Sequence, residues 1–364
     1  MPGPRIAILT SGGDAPGMNA AIRAATLVGQ ARGATVLGVR HGYRGLVEGD
    51  FHLLERADVQ DIVRQGGTML GTARCPEFAE RSVRDVARRR LKDARVDKVL
   101  VIGGNGSLTG AHALGQPVEQ LEDWAVKVVG LPASIDNDVG CTSLAIGVDT
   151  AMNTIVEAAD RIADTATAHD RTFIVEVMGR DCGYLAMAAG VGAGADRVLF
   201  REAGLPFDEV VDKVCDTVRA AHARGNKRAL VIMSEGIQVP VAELKTAVDA
   251  RLAGLGDADP EAELRVTVLG HLVRGGRPSA LDRLMASRVA HAAVHGLLTG
   301  AQDQMVAWNP GRPPTGATRS PVDPRCWLVP LADVLTETKA LLDGTSPQAQ
   351  WRVKVFDELE GVFG

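Results

Sequence analysis

Aromatic side chains are scarce in this chain, at 4% of 364 residues, and there is no excess of positive charge. With few rings the core must be aliphatic, and 41 glycines point to many tight turns between its elements. A net charge of −5 excludes a general nucleic-acid binder, because affinity for a phosphate backbone needs a basic surface. Local arginine clusters can still hold small phosphates. The five cysteines (Cys75, Cys141, Cys182, Cys215, Cys326) are odd in number and far apart, with no CxxC or Cys/His zinc spacing. A disulfide framework and a zinc site are therefore not expected. No run approaches about 18 apolar residues without a charge, so no membrane span is expected. The opening "MPGPRIAILTSGG" has no apolar targeting stretch, and the cytoplasm is the expected location.

What is present is ordinary globular composition, 46% hydrophobic and 23% charged, in a chain long for a single core. Two domains follow. Short aliphatic runs at Arg5–Leu9, Lys98–Ile102, Val126–Leu131, Thr172–Val177 and Ala229–Met233 end in glycine or polar turns. Runs apolar on both faces are typical of parallel strands covered by helices. Their alternation with helical patterns at Ala20–Gln30 and Asp149–Ala166 predicts an α/β doubly wound fold, in which ligands bind at the carboxyl ends of strands. Asn309–Arg325, dense in Pro and Gly, reads as a long surface connection, and "GLGDADPEAE" near residues 254–263 as a second polar break.

Two turns share a phosphate-cradling design: "SGGD" at Ser11–Asp14 and "GGNGS" at Gly103–Ser107. Glycine lets backbone N–H groups approach an anion, and a following helix offers unpaired N–H groups and a positive dipole end. Each turn alone is equally compatible with simple strand-on-helix packing. GxxxxGK(S/T) is absent, and "GGNGSLTG" misses GxGxxG by one position, so neither a Walker site nor a dinucleotide site is indicated. "SIDND", Ser134–Asp138, sets two carboxylates two residues apart. One can accept a proton while the other holds a divalent metal, although both can instead cap backbone donors.

Arg74, Arg171, Arg180, Arg265 and Arg274 recur near strand ends or turn glycines, where guanidinium forks can bind phosphate; any one of them also fits a surface ion pair. His271 fits a core histidine as well as a ligand contact. Glu235 fits a sugar-hydroxyl acceptor as well as a strand-end charge, and Met178 and Met233 fit packing.

In order along the chain, "ILTSGGDAPGMNAAIR", "GYRGL", "GGTMLGTARCPEF", "GGNGSLTG", "PASIDNDV", "HDRTFIVEVMGRDCGYLA" and "VTVLGHLVRGGRPSALDR" resemble the 6-phosphofructokinase family from about residue 5 to residue 300. The resemblance implies two doubly wound domains with mostly parallel central sheets. Residues 1–147 with 278–326 would form the larger nucleotide and magnesium domain, and 148–277 with 327–364 the smaller fructose 6-phosphate domain. It further implies transfer of a phosphoryl group from ATP to the 1-hydroxyl of fructose 6-phosphate with Mg²⁺.

By motif, Asp136 would be the base, Asp138 would help hold the metal and bind substrate, and Ser134 would contact the moving phosphoryl. Arg180 and Arg74 would neutralise its charge. Met178, Gly179, Glu235, His271 and Arg274 would hold the sugar phosphate. Arg171 and Arg265 would reach in from a neighbouring subunit, which implies a homotetramer or homodimer with shared sites. Gly12, Tyr43, Cys75, Phe78 and Arg84 fall at the nucleotide site, as do Gly104, Gly106, Ser107 and Gly110 and the adjoining Arg74. Members that use pyrophosphate look like "GGDDS" and "PKTIDND"; Gly106 and Ala133 here favour ATP.

The departures are specific. Asn105 stands where the family has a metal-binding aspartate, so weaker metal affinity or slower chemistry is expected. Ala79 replaces a frequent arginine near the nucleotide. Leu27 and Ala163 interrupt the arginines of an effector site, of which Arg23, Arg56 and Arg224 remain, and weakened control by ADP and phosphoenolpyruvate is expected. Use of pyrophosphate or of another sugar phosphate such as sedoheptulose 7-phosphate is the alternative on the same fold. A regulatory sugar-phosphate binder with little catalysis is the alternative of another class.

Overall fold

A computed structural model describes residues 3–117, 125–169, 171–225, 228–254, 264–309, 311 and 314–363. The chain divides into two compact units, Met1–Thr150 with Arg274–Ala340 and Ala151–Val273 with Leu341–Gly364. The first elements are β1 (Arg5–Ser11), α1 (Met18–Ala31), β2 (Thr35–Val39), α2 (Gly42–Glu48), β3 (Phe51–Leu53), α3 (Arg56–Val59), α4 (Arg81–Asp93), β4 (Lys98–Gly103), α5 (Asn105–Gly115) and β5 (Lys127–Pro132). Then come α6 (Val148–His169), β6 (Thr172–Val177), α7 (Tyr184–Gly192), β7 (Arg197–Leu199), α8 (Phe207–Ala223), β8 (Leu230–Ser234), α9 (Val241–Gly254) and β9 (Leu264–Val268). The last are α10 (Ala280–Thr299), β10 (Gln304–Trp308), β11 (Thr318–Arg319), β12 (Cys326–Pro330), α11 (Leu331–Leu342) and α12 (Pro347–Phe363).

The first unit holds a sheet in the order β11-β12-β10-β5-β4-β1-β2-β3. Its five middle strands, β10 to β2, run parallel, with antiparallel strands at both edges. Ile6, Ile8, Leu9, Leu100, Ile102 and Leu131 are fully buried, as expected of strands covered on both faces. Each such side chain stabilises the fold by about 1.5–3 kcal/mol relative to exposure.

The sequence runs therefore mark the right strands, each within one or two residues. The tail differs from expectation. Residues 327–340 belong to the first unit, because β12 pairs with β10 from Gln304↔Pro330 to Trp308↔Cys326. The connection before it is latched: Arg288 on α10 grips Asp323 at 2.6 and 2.7 Å and lies 4.7 Å from the centroid of the Trp308 ring. Within it Thr318–Arg319 forms β11. Of the polar break near 254–263, residues 255–263 lie outside the described residues.

The second unit holds an all-parallel sheet in the order β7-β8-β6-β9, packed on α8 and α9 through Ile174, Val210, Val214, Val231, Met233, Leu244 and Val248. Among the described residues no helix is long and apolar enough to cross a membrane.

Candidate active site

Chain order reverses in the first sheet between β1 and β4, since β2 follows on one side and β5 on the other. Both glycine turns leave the sheet at this switch point, where α/β folds bind ligands, with Ser11 in register with Gly103. The approach is so close that glycine is required. A Cβ on Gly103 would lie 2.4 Å from the Ser11 carbonyl oxygen and 2.5 Å from Ser107 Oγ, and Gly12 has φ +84°. Asn105, Gly106 and Ser107 form the first turn of α5, so their N–H groups face the gap. Ser107 Oγ is buried there with no hydrogen-bond partner among the described residues.

The carboxylate turn follows β5 on the neighbouring strand. Asn137, at its centre, is fully buried with φ +51°. Its Oδ1 accepts from the Ala145 amide at 3.0 Å and its Nδ2 donates to the Ser143 carbonyl at 3.2 Å. This middle residue staples the loop, and Asp136 and Asp138 on either side of it are each only partly buried. Asn137 was missed in the sequence; its one signal was an Asn between two turn aspartates, a residue tolerant of left-handed backbone.

Asp138 accepts from Ser134 Oγ at 2.7 Å and from Asn105 Nδ2 at 2.6 Å. Asn105 Nδ2 also lies 3.3 Å from the Asp138 carbonyl oxygen, and both acceptors fix which end of the amide faces Asp138. Asn105 Oδ1 is left buried without a hydrogen-bond partner among the described residues, and such an atom calls for a water or an ion. No group of three His, Cys, Asp or Glu side chains able to hold a metal occurs among the described residues. One carboxylate and one amide oxygen fit Mg²⁺, which commonly takes one or two protein oxygens and completes its shell with substrate phosphates and water.

The residues expected at a nucleotide site divide by exposure. Arg74 is exposed, and Cys75 is half-buried with its thiol pushed up by burial and by Glu77. Tyr43 and Phe78 are buried and stacked on one another, 4.1 Å between centroids. Burial holds the Tyr43 phenol well above its ordinary pKa, and its hydroxyl donates to the Ser107 carbonyl. The pair is a floor beneath α5; a Cβ on Gly110 would meet the Tyr43 ring at 2.7 Å. Arg84 Nη1 donates to the Phe78 and Ala79 carbonyls, and Gly104 is the residue before α5.

Asn19, buried on α1, pins the loop that leads to Arg74, donating to Gln65 and Gly66 and accepting from Met69. Thr72 Oγ1 donates to the Gly12 carbonyl at 2.7 Å. Neither carried a signal in the sequence. Arg274 belongs to this unit and not, as expected from the motif, with the second: its Nη1 would be 2.8 Å from a Cβ on Gly13.

In the second unit Met178, Gly179 and Arg180 follow β6, Glu235 follows β8 and His271 follows β9, so one sheet end presents all five. Met178 is buried at 8% exposure, whereas His271 is exposed, which removes the core-histidine reading. Glu176 on β6 has its carboxyl pushed up by burial and by nearby Glu235. Arg171 and Arg265 do not share this end. They lie at the starts of β6 and β9, with Phe173 paired to Arg265. The six residues of β6 stand between Arg171 and Met178, a span of about 23 Å. Nearness to a strand end, which these arginines share, therefore does not place them at one site, because the two ends of a parallel sheet differ.

Glycine turns, helix N-termini and carboxylates gathered at the carboxyl ends of parallel strands define a phosphate-handling enzyme of the doubly wound class. The chain belongs to the phosphofructokinase family, whose model matches residues 5–297. The ATP-dependent 6-phosphofructokinase of Thermotoga petrophila is 44% identical over 303 residues, 83% of this chain and 89% of the relative. Among solved structures, phosphofructokinase from Saccharomyces cerevisiae superposes with a TM-score of 0.84 at 31% identity over 99% of this chain, which spans 50% of the yeast chain. A pyrophosphate-dependent phosphofructokinase from Marinobacter aquaeolei, 21% identical with a TM-score of 0.72 over 91% of this chain and 83% of its own, shares the fold.

Proposed function

We propose that the chain is an ATP-dependent 6-phosphofructokinase, transferring the γ-phosphoryl of ATP to the 1-hydroxyl of fructose 6-phosphate to give fructose 1,6-bisphosphate and ADP. The observation that carries this reading is the meeting of two glycine turns, the α5 N-terminus and the Ser134–Asp138 turn at adjacent strand ends. Amides there receive phosphate oxygens, and Asp136 takes the proton of the attacking hydroxyl as the new O–P bond forms and the bond to the β-phosphate oxygen breaks.

Arg74 and Arg180 stabilise the charge spread over the moving phosphoryl, and Ser134 contacts it. Asp138 and Asn105 Oδ1 would hold Mg²⁺, which when bound offsets charge on the phosphates. Met178, Gly179, Glu235, His271 and Arg274 bind the sugar phosphate. Gly12, Cys75, Arg84, Gly104, Gly106, Ser107 and Gly110 surround the nucleotide, on the floor made by Tyr43 and Phe78.

ATP is the donor on two grounds. A Cβ on Gly106 would meet nothing within 4 Å, so a side chain there would fill space the nucleotide needs. Ala133, buried at 1% exposure, offers no cation for pyrophosphate. A homotetramer or homodimer is the assembly, since Arg171 and Arg265 sit at the opposite sheet end from Arg180 and serve a neighbour's site. The cytoplasm is the compartment.

Steady-state kinetics with ATP and with pyrophosphate, on fructose 6-phosphate and sedoheptulose 7-phosphate, across a magnesium titration test the proposal. Turnover with ATP and fructose 6-phosphate upholds it. Preference for pyrophosphate, or calorimetric binding of fructose 6-phosphate without turnover at high Mg²⁺, overturns it.

A further inference from the structure

The turn that carries Arg180 is held along its length. Gly179 has φ +135°, and a Cβ on it would lie 2.6 Å from the Cys182 carbonyl oxygen. Its own carbonyl accepts from Ser234 Oγ at 2.6 Å. Arg201 donates to the Asp181 carbonyl at 2.8 Å, and the Gly183 amide donates to Glu202 at 2.8 Å. The remaining hold comes from the far end of the chain. Arg352 on α12 is 8% exposed, places its guanidinium 4.5 Å from the centroid of the Tyr184 ring and brings Nη1 to 3.8 Å from Cys182 Sγ. One turn further along α12, Phe356 meets Phe200 edge to face at 5.0 Å, just before Arg201 and Glu202. All of α12 lies beyond residue 297, where the family match ends.

We propose that Arg352 is a positioning residue for phosphoryl transfer: by gripping Cys182 and Tyr184 it fixes the turn that presents Arg180, and so couples the C-terminal helix to the chemical step. This rests on the phosphofructokinase reading for its kinetic consequence and on the geometry alone for its structural one. A desolvated guanidinium over a ring face restrains both partners, because each loses its favourable contact if the turn swings out. Arg180 acts on charge that develops only in the transition state, so loosening its turn lowers kcat while leaving ATP binding nearly unchanged.

The test compares Arg352→Ala, Tyr184→Leu, their double variant and Tyr184→Phe in the full chain. Two readouts are taken: amide hydrogen exchange of residues 179–184, and kcat with KM for each substrate. The single variants speed exchange in that turn but not in α10. They lower kcat by about 10- to 100-fold with an unchanged KM for ATP. The double variant is no worse than either single one, and Tyr184→Phe, which keeps the ring face, stays closer to the parent than Tyr184→Leu in both readouts. Unaltered exchange at 179–184 in Arg352→Ala, additive losses in the double variant, or kcat unchanged despite faster exchange overturns the proposal. If Arg352→Ala fails to fold, Tyr184→Leu against Tyr184→Phe decides by the same criteria. If the parent does not phosphorylate fructose 6-phosphate, the functional reading falls while hydrogen exchange still judges the clamp.

Discussion

The side-chain amide of Asn105 donates to Asp138, Nδ2 to Oδ2 at 2.6 Å, so a neutral donor meets the carboxylate that would hold the metal. In Asn105→Asp that donor becomes a second anion. Two unit charges about 4 Å apart at an effective dielectric near 20 interact by on the order of 4 kcal/mol before solvent screening reduces it. The variant should therefore melt below the parent in EDTA and recover on titration with Mg²⁺, while the parent shifts little. Scanning calorimetry with and without Mg²⁺ checks this apart from any turnover, and a lower Mg²⁺ requirement for activity should accompany it. Equal magnesium responses in the two proteins would refute the assignment.

The proposed mechanism gives Asp136 and Asp138 different roles, and Asp136→Asn separates them. Removing a general base slows the chemical step by about 10²–10⁴-fold. The KM for ATP should stay near the parent value, because the glycine turns and the α5 N-terminus remain. Steady-state kinetics at saturating Mg²⁺ measure both; a raised KM for ATP with kcat intact would assign Asp136 to nucleotide binding instead.

Between the two carboxylates, Asn137 joins a left-handed backbone to two side-chain hydrogen bonds, one buried and one part-buried. Asn137→Gly keeps the backbone freedom and loses the bonds, whereas Asn137→Ala loses both. The Ala variant should be destabilised by about 2–4 kcal/mol and the Gly variant by less. Thermal unfolding should rank parent, Gly, Ala, with kcat following the same order. Ala above Gly would show that the positive φ is not the constraint.

This residue also marks where reading the sequence stops. The strands at 98–103 and 172–177 were legible because parallel strands buried on both faces are continuously apolar, and that signal is local. The candidate catalytic residues were legible because motifs such as "SIDND" and "EVMGRDCGYLA" keep their spacing along the chain. Illegible were contacts between distant segments: Asn19 pinning residues 65–69, and β12 adding to the first sheet instead of following the second unit. The end of β6 at which an arginine falls was legible from chain order alone, since Arg171 precedes Thr172–Val177 and Arg180 follows it.

The latch between α10 and the connection after β10 gives a pH-dependent prediction. Burial alone would raise the Asp323 carboxyl, but the Arg288 fork and the Arg325 amide outweigh it and hold the group below its ordinary 3.8. A carboxyl with a depressed folded pKa adds stability that is fully present above the unfolded value and is lost as pH falls through the folded one. Asp323→Asn should therefore lower stability by about 2 kcal/mol at neutral pH, the size of a hydrogen bond to a charged group. The difference from the parent should narrow below pH 3.8, as the parent's own carboxyl takes up its proton. Calorimetric melting points of both proteins across that range measure the gap. A gap that stays constant into acid would mean the latch works through packing on Trp308, where Arg288 lies 4.7 Å from the ring centroid, and not through the charge of Asp323.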